Sequence, residues 1–533
     1  MKNATLFENV RIRTLDEEMP EGCALLVCSG RIHTVYPESD PTVTGYGNLR
    51  RVDCQNLIML PAFTDSHLHL MDTGEQLSTV DVSTAKNQAE AVEILKKNTK
   101  DLPAGEWIQG SRWGHNLWTP PSLPSKESLD AAFPHNPVYL FSKCGHLLWV
   151  NTPVLKAANI SRNTPDPPDG EIERDPESGE PTGIIKEEAM EIVCRAIPEV
   201  PPHRKKEYLG NAAAHLNRFG IVNVHDSDVP EVFTLLQELQ IEGDYPLNVV
   251  IYLPSSFLDS LVTARIRSGL GNDRLRFGGV KLFVDGSLGG RTAWLYEPHE
   301  GEPGNTGIPV ITGEVLLDKV FQANRAGIVA MTHAIGDRAN DLLMDVYSKV
   351  YKTLKPEERP ALPNRAEHFQ LLTDNLLDRI EGLPIAASMQ PVHIFSDWSA
   401  ANRFWGKRSR LAYACRSILD KGFPLVFGSD SPVEPVNPFW SMYAAVERKD
   451  LEGKPEEGWY SGESISTLQA LRACSSTPPE IVGESGMKGT LTPGKRADFV
   501  LVDKDPLQEP SDSWRDARVM ATAMEGEFVF REF

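Results

Sequence analysis

The stretch LPAFTDSHLHL (60–70) ends an apolar run in His67 and His69, one residue apart. On a β-strand, residues i and i+2 face the same side, so both imidazoles can converge on one point. Imidazole is the commonest metal ligand among side chains, and it binds zinc at about 2.0–2.1 Å. An HxH pair alone is a weak signal, because many such pairs are surface histidines. It gains weight because further candidate ligands downstream each stand at the end of an apolar run of their own.

Working outward, eight strand-like runs can be read: LIMLPAFTD (57–65), IVNVHDS (221–227), LNVVIYL (247–253), RFGGVKLFVDG (276–286), GIVAMTHA (327–334), RAEHF (365–369), PIAASMQ (384–390) and PLVFGSD (424–430). Between them, TGEVLLDKVFQANRAG and DRANDLLMDVYSKVYKTL carry apolar residues near a 3.6 period. Strand then helix, repeated eight times, predicts an α/β fold of the (β/α)8 TIM-barrel type over 57–488. Polar residues gather at the C-terminal ends of the runs, where such barrels place their chemistry. Residues 1–56 and 489–533 read instead as short strands, among them TLFENVRIRTL and RADFVLVDKDP. One small β-domain assembled from both termini accounts for them.

About 150 residues separate the first run from the second, far beyond an ordinary connection. This insertion, at about 80–205, has its own helix pattern (NQAEAVEILKKNTKDL) and its own strand-like VYLFS (138–142). It also holds Trp107, Trp113, Trp118 and Trp149. A lid or substrate-facing subdomain is one reading and a structural elaboration the other, with equal weight.

At 533 residues the chain exceeds one simple core. Asp+Glu 74 against Lys+Arg 54 gives a net charge of −20. That argues against nucleic acid, whose phosphates need Lys and Arg clusters, and against an anionic membrane surface. No apolar stretch approaches the ~20 residues of a membrane span. The first ten residues alternate and carry charge, which suits a strand rather than a secretory signal. The seven cysteines are scattered with no CxxC spacing, so neither a disulfide framework nor a cysteine zinc site is supported. A cytoplasmic protein is expected.

In GVKLFVDG, alternation puts Lys281, Phe283 and Asp285 on one strand face. A lysine facing a barrel interior is costly unless paired or altered. Locally, a plain ion pair with Asp285 or another carboxylate is the favoured reading. The alternative is an amine that takes up CO2 as a carbamate beside bound cations. His333 and His368 end two further runs, and Asp430 closes the last, where a turn or N-cap aspartate is the competing reading. The set His67, His69, Lys281, His333, His368 and Asp430 would hold divalent ions about 3.5–4 Å apart if two are bound. Nitrogen and oxygen donors of this kind suit Zn2+, with other divalent transition metals compatible. Asp430 would move a proton from a metal-activated water to a leaving nitrogen.

The blocks LIMLPAFTDSHLH, GEIERDPESGEPTGIIKE, GVKLFVDGSLGGRTAWL, THAIGDRAND, RAEHFQLL, ASMQPVH, FGSDSPVEPVNPF and GTLTPGKRADFVLVDKDP run nearly end to end. Together they resemble the amidohydrolase superfamily, and within it the YtcJ-like group that includes N-substituted formamide deformylases. The resemblance implies a barrel with a terminal β-sandwich. It also implies metal ligation by His67, His69, His333 and His368, with Asp430 as ligand and acid/base. At Lys281 it implies a carboxylated lysine, which displaces the local ion-pair reading. KCGHLLWVN (143–151) resembles a segment where the family usually shows Asp-Gly-His; Cys144 replaces the acid, and His146 would approach the substrate. Trp149, Arg291, Gln390 and His393 are further substrate-side candidates, the last three on family analogy alone.

The function this predicts is cleavage of a C–N bond in a small-molecule amide, N-acyl or N-formyl compound by metal-activated hydroxide. Deamination or cyclic-amide opening on the same scaffold is the enzymatic alternative. A non-catalytic metal-containing binding protein is the alternative of another class, and the completeness of the ligand set argues against it. A homodimer is compatible with the architecture, though no interface is legible.

Overall fold

The computed structural model describes residues 3–39, 41–46, 48–115, 118–143, 147–168, 170–243 and 245–533. The chain divides into two compact units, Met1–Thr73 with Leu209–Phe533, and Gly74–Tyr208.

The first unit holds a sheet of eight parallel strands in chain order: β1 (Phe63–Leu68), β2 (Ile221–Ser227), β3 (Asn248–Pro254), β4 (Leu275–Phe283), β5 (Val329–Ala334), β6 (Asn364–His368), β7 (Ile385–Met389) and β8 (Leu425–Phe427). Its two edges come together just beyond β8. Asp430 N–H donates to His67 O at 2.7 Å, and His69 N–H to Ser431 O at 2.9 Å. Gly428 permits this approach, because a Cβ there would stand 2.4 Å from His67 N. The result is a nearly closed TIM barrel.

Helices follow the strands, among them Pro230–Glu242, Gly313–Arg325, Asp337–Thr353 and Pro438–Glu447. In Gly313–Arg325, Leu316, Val320 and Ala323 are buried at spacings of three and four, the period of one helix face. Thr312 caps that helix by accepting from Val315 N–H.

The run 57–65 is not one strand, which corrects the boundary at 57. Ile58–Pro61 pairs with Arg11–Arg13 and Phe499–Val502, and the barrel begins only at Phe63. The chain changes sheets at Ala62, whose N–H goes to Asp498 O. Proline can donate no ladder hydrogen bond and sits where the first strand ends.

Ile58–Pro61 belongs to a six-stranded sheet that draws on both ends of the chain; Asn3–Glu8, Ala24–Cys28, Arg31–Tyr36 and Asn48–Asp53 form a separate four-stranded sheet. Phe7, Leu25, Val27, Met59, Phe499 and Leu501 share one core between these sheets. Val500 and Val502 turn the other way, into the barrel core. The strand FVLV is thus buried on both faces, which explains its unbroken apolar sequence.

The Gly74–Tyr208 unit has a six-stranded mixed sheet, with Val138–Ser142 and Leu147–Val150 at its centre. Helix Gln88–Asn98, capped by Asn87, contributes Ala91, Val92 and Leu95 to a core that includes Trp113, Trp118 and Trp149. Among the described residues, no helix is long and apolar enough to cross a membrane.

Candidate metal centre

Barrel geometry brings six side chains to one end of the sheet. His67 is on β1 and His69 follows it; Lys281 is on β4, His333 on β5 and His368 ends β6; Asp430 lies just past β8. His67 Nε2 is 3.3 Å from Lys281 Nζ and 3.3 Å from Asp430 Oδ1, and His69 Nε2 is 3.5 Å from the same oxygen. The rings of His333 and His368 are 4.5 Å apart, and those of His67 and His368 5.1 Å. Ligand atoms of His67, His368 and Asp430 all lie within 4.8 Å of one another.

Each imidazole has one ring nitrogen taken. His67 Nδ1 meets Glu367 Oε2 at 2.6 Å, and His69 Nδ1 meets Ser227 O at 2.8 Å. His368 Nδ1 meets Gln390 Oε1 at 2.9 Å, and His333 Nε2 meets Gly286 O at 3.0 Å. All four partners are acceptors, so in the neutral form of each ring the bonded nitrogen carries the proton and the other has its lone pair for a cation. This is the arrangement of metal-ligating histidines, whose second nitrogen is fixed by a carboxylate, carbonyl or water. The residues present fit a divalent cation.

The backbone is held in an uncommon state at two of the six. His368 has φ 64° and Asp430 φ 59°, in the left-handed region that non-glycine residues seldom enter. In an unbroken strand Glu367 and His368 would face opposite sides. The turn at His368 breaks that alternation, so the carboxylate and the following imidazole both serve the centre.

Charge depends on burial and neighbours. Burial pushes His333 down to about 4, with the Lys281 charge adding to it, and lowers His368 well below its ordinary value. Both are therefore neutral, the form that binds metal. Burial also lowers Lys281 to about 8, against the pull of Glu367 and Asp430. Burial would raise the Asp430 carboxyl, but where no cation lies between them, hydrogen bonds from the charged forms of the facing imidazoles prevail and hold it well below the usual carboxylate range.

The local ion-pair reading of Lys281 with Asp285 is corrected. Asp285 lies past the end of β4 and accepts from the backbone N–H groups of Trp294, Ile335 and Gly336. Its oxygens are engaged there, and the hydrogen-bond partner of Lys281 Nζ is His67 Nε2.

The remaining candidates divide. Gln390 is buried against His368, and His393 Nε2 lies 3.3 Å from Ser429 O and 4.0 Å from Asp430 Oδ2. Arg291 pairs with Glu302 and lies over the Phe404 ring, 5.9 Å from its centroid. Trp149 has 0% exposure and donates its indole N–H to Ser125 O, so it is a core residue rather than a substrate contact. His146 and Cys144 lie outside the described residues.

Three side chains at the centre were not among the sequence candidates. Glu367 and Arg365 occupy one face of β6 beneath His67, and Asp65 ties β1 to the loop after β8 by accepting from Ser429 N–H and Oγ–H. Charged residues at alternate positions of an apolar run were the available signal: Asp65 with His67, and Arg365 with Glu367.

Residues 50–530 match the model of the amidohydrolase family. The chain is 29% identical to the putative amidohydrolase YtcJ of Bacillus subtilis, across 94% of this chain and 96% of that one. It is 26% identical to the N-substituted formamide deformylase of Arthrobacter pascens, across 97% and 96%. The crystal structure of an uncharacterized metal-dependent hydrolase from Pyrococcus horikoshii OT3 superposes with a TM-score of 0.77 at 29% identity, covering 95% of this chain and 99% of that chain.

Proposed function

This chain belongs to the amidohydrolase family of metal-dependent hydrolases, and from that premise we propose that it hydrolyses the C–N bond of a small amide, with an N-formyl or N-acyl group as the part transferred to water. The observation that carries the reading is the gathering of ligand atoms of His67, His368 and Asp430 within 4.8 Å of one another, with His69 Nε2 3.5 Å from Asp430 and one nitrogen of each of the four imidazoles tied to an acceptor. The formamide preference is taken from the relative of that name and from nothing in the site itself.

His67, His69, His333, His368 and Asp430 would hold the cation, Zn2+ being the best match to their donor atoms. When bound there, a divalent cation lowers the pKa of water and polarises a carbonyl. The Asp430 carboxylate takes the proton from the attacking water and delivers it to the departing nitrogen, which leaves as a neutral amine. Its position beside both imidazoles of the HxH pair puts it within reach of both transfers. Lys281 is buried with His67 Nε2 as its neighbour. Its neutral amine adds to CO2 with release of one proton, giving a carbamate whose oxygens supply the anionic ligand.

The test is metal removal. A chelator should abolish hydrolysis of N-substituted formamides and N-acyl amines, and Zn2+ should restore it. A metal-free protein with full activity on any of these amides would end the proposal.

A further inference from the structure

Beneath His67 the barrel interior is filled by an ion pair. Arg365 and Glu367 are both fully buried on β6, and they meet through two parallel contacts, Nε to Oε1 at 2.7 Å and Nη2 to Oε2 at 3.3 Å. The guanidinium also reaches four further strands, one Nη2 hydrogen being shared between two acceptors. Nη2 donates to Ser66 O at 2.6 Å and Ser388 Oγ at 3.1 Å, and Nη1 to Tyr252 Oη at 3.3 Å and His225 Nδ1 at 2.9 Å. Arg365 therefore cannot move without disturbing β1, β2, β3 and β7, and Glu367, clamped by it, cannot rotate. Glu367 Oε2 is also the acceptor for His67 Nδ1.

The other three imidazoles rest on neutral acceptors: Ser227 O, Gly286 O and Gln390 Oε1. Asp285 does stand 3.7 Å from His333 Nε2, but it is engaged by three backbone N–H groups. Among the described residues, His67 alone of the four has a carboxylate within hydrogen-bond distance of its outer nitrogen. A carboxylate partner fixes the tautomer and orientation of a ligating histidine and raises its basicity.

We propose that Arg365 and Glu367 are positioning residues that make His67 the anchor of the metal centre, Arg365 by fixing the carboxylate and Glu367 by fixing the ring. The proposal rests on the metal-dependent reading above, and its test separates the two.

Zn2+ affinity is measured by chelator competition on metal-free protein. Glu367→Gln should weaken it about 10–100-fold. Because that variant leaves Arg365 buried without its counter-charge and invites unfolding, a double variant, Glu367→Gln with Arg365→Met, removes the whole pair. It should melt as the metal-free wild type does and still lose the same affinity. Glu367→Asp, which keeps the charge but draws it back from His67, should fall between. A folded double variant with wild-type Zn2+ affinity overturns the relay and leaves the metal centre standing. A wild type that takes up no Zn2+ ends both.

Discussion

At the barrel mouth, His67, His69, His333 and His368 each give one ring nitrogen to the fold and keep the other out of those bonds, with ligand atoms of His67 and His368 drawn together at Asp430. In the Gly74–Tyr208 unit, Trp113 and Trp149 give up the one polar atom they have. Trp113 Nε1 donates to Leu140 O at 2.9 Å and Trp149 Nε1 to Ser125 O at 3.0 Å, while Trp118 packs within 6.4 Å of both rings. Both regions are buried and rich in rings. What separates them is hydrogen-bond capacity left over after folding. A buried group with none is architecture, and one that keeps a lone pair facing other such groups is available for chemistry.

The sharpest way to break this contrast is at Asp430. Asp430→Asn keeps the shape of the side chain but removes its ability to take a proton. General acid–base catalysis contributes typically about 10²–10⁴-fold, so kcat should fall by that order while most of the metal is retained. Steady-state rates with metal analysis on the same sample check it. A variant with wild-type kcat would remove Asp430 from the proton path.

On the other side, Trp149→Ala should act on stability alone. Removing a fully buried tryptophan costs about 3–5 kcal/mol, read as an earlier denaturant midpoint for the Gly74–Tyr208 unit. Zn2+ affinity of the barrel should not change. A variant of normal stability with a raised KM would place this indole against substrate and dissolve the contrast.

The barrel was legible because each β-strand left an apolar run with a polar end, and the HxH spacing marked where the runs terminate. Lys281 facing inward was legible from alternation. The parts that were not legible depend on features that are not local. Pro61 and Ala62 sit inside one continuous apolar run, and only pairing with residues 499–502 shows that the run serves two sheets. Glu367 and His368 are consecutive, so period-two reasoning assigns them to opposite faces; the left-handed turn at His368 overrides it. Trp149 stood among the substrate-side candidates because sequence cannot tell a wet ring from a dry one.

Gly428 sharpens the comparison at its closest point of approach. A methyl group there would meet the His67 backbone at 2.4 Å, with the His67 Cβ at 2.7 Å. Neither is the free end of a flexible side chain, so β1 and the chain beyond β8 must separate. Gly428→Ala should cost about 1–3 kcal/mol, the range for overpacking, and weaken Zn2+ binding because His67 and Asp430 move apart. A thermal melt with and without Zn2+ separates the two effects. Equal losses in both states would mean that the two ligands keep their spacing.

The smallest effect is expected at Arg291, which stood beside Gln390 and His393 among the substrate-side candidates. Its guanidinium pairs with Glu302 and lies over the Phe404 ring, and about half of the side chain is in solvent. Exposed ion pairs contribute about 0–1 kcal/mol, so Arg291→Ala should change stability by no more than that. By the capacity argument, a guanidinium already engaged on its own loop has little left for substrate, and kcat/KM should stay at the wild-type value. Arg291 does have φ 54°, a left-handed turn that glycine, lacking a Cβ, enters more easily. Arg291→Gly therefore separates backbone from side chain: it relieves the turn while removing the charge. If KM rises in both variants, the guanidinium meets substrate and leftover capacity is the wrong criterion at exposed sites. If it rises in neither, the criterion holds from the buried histidines out to the rim.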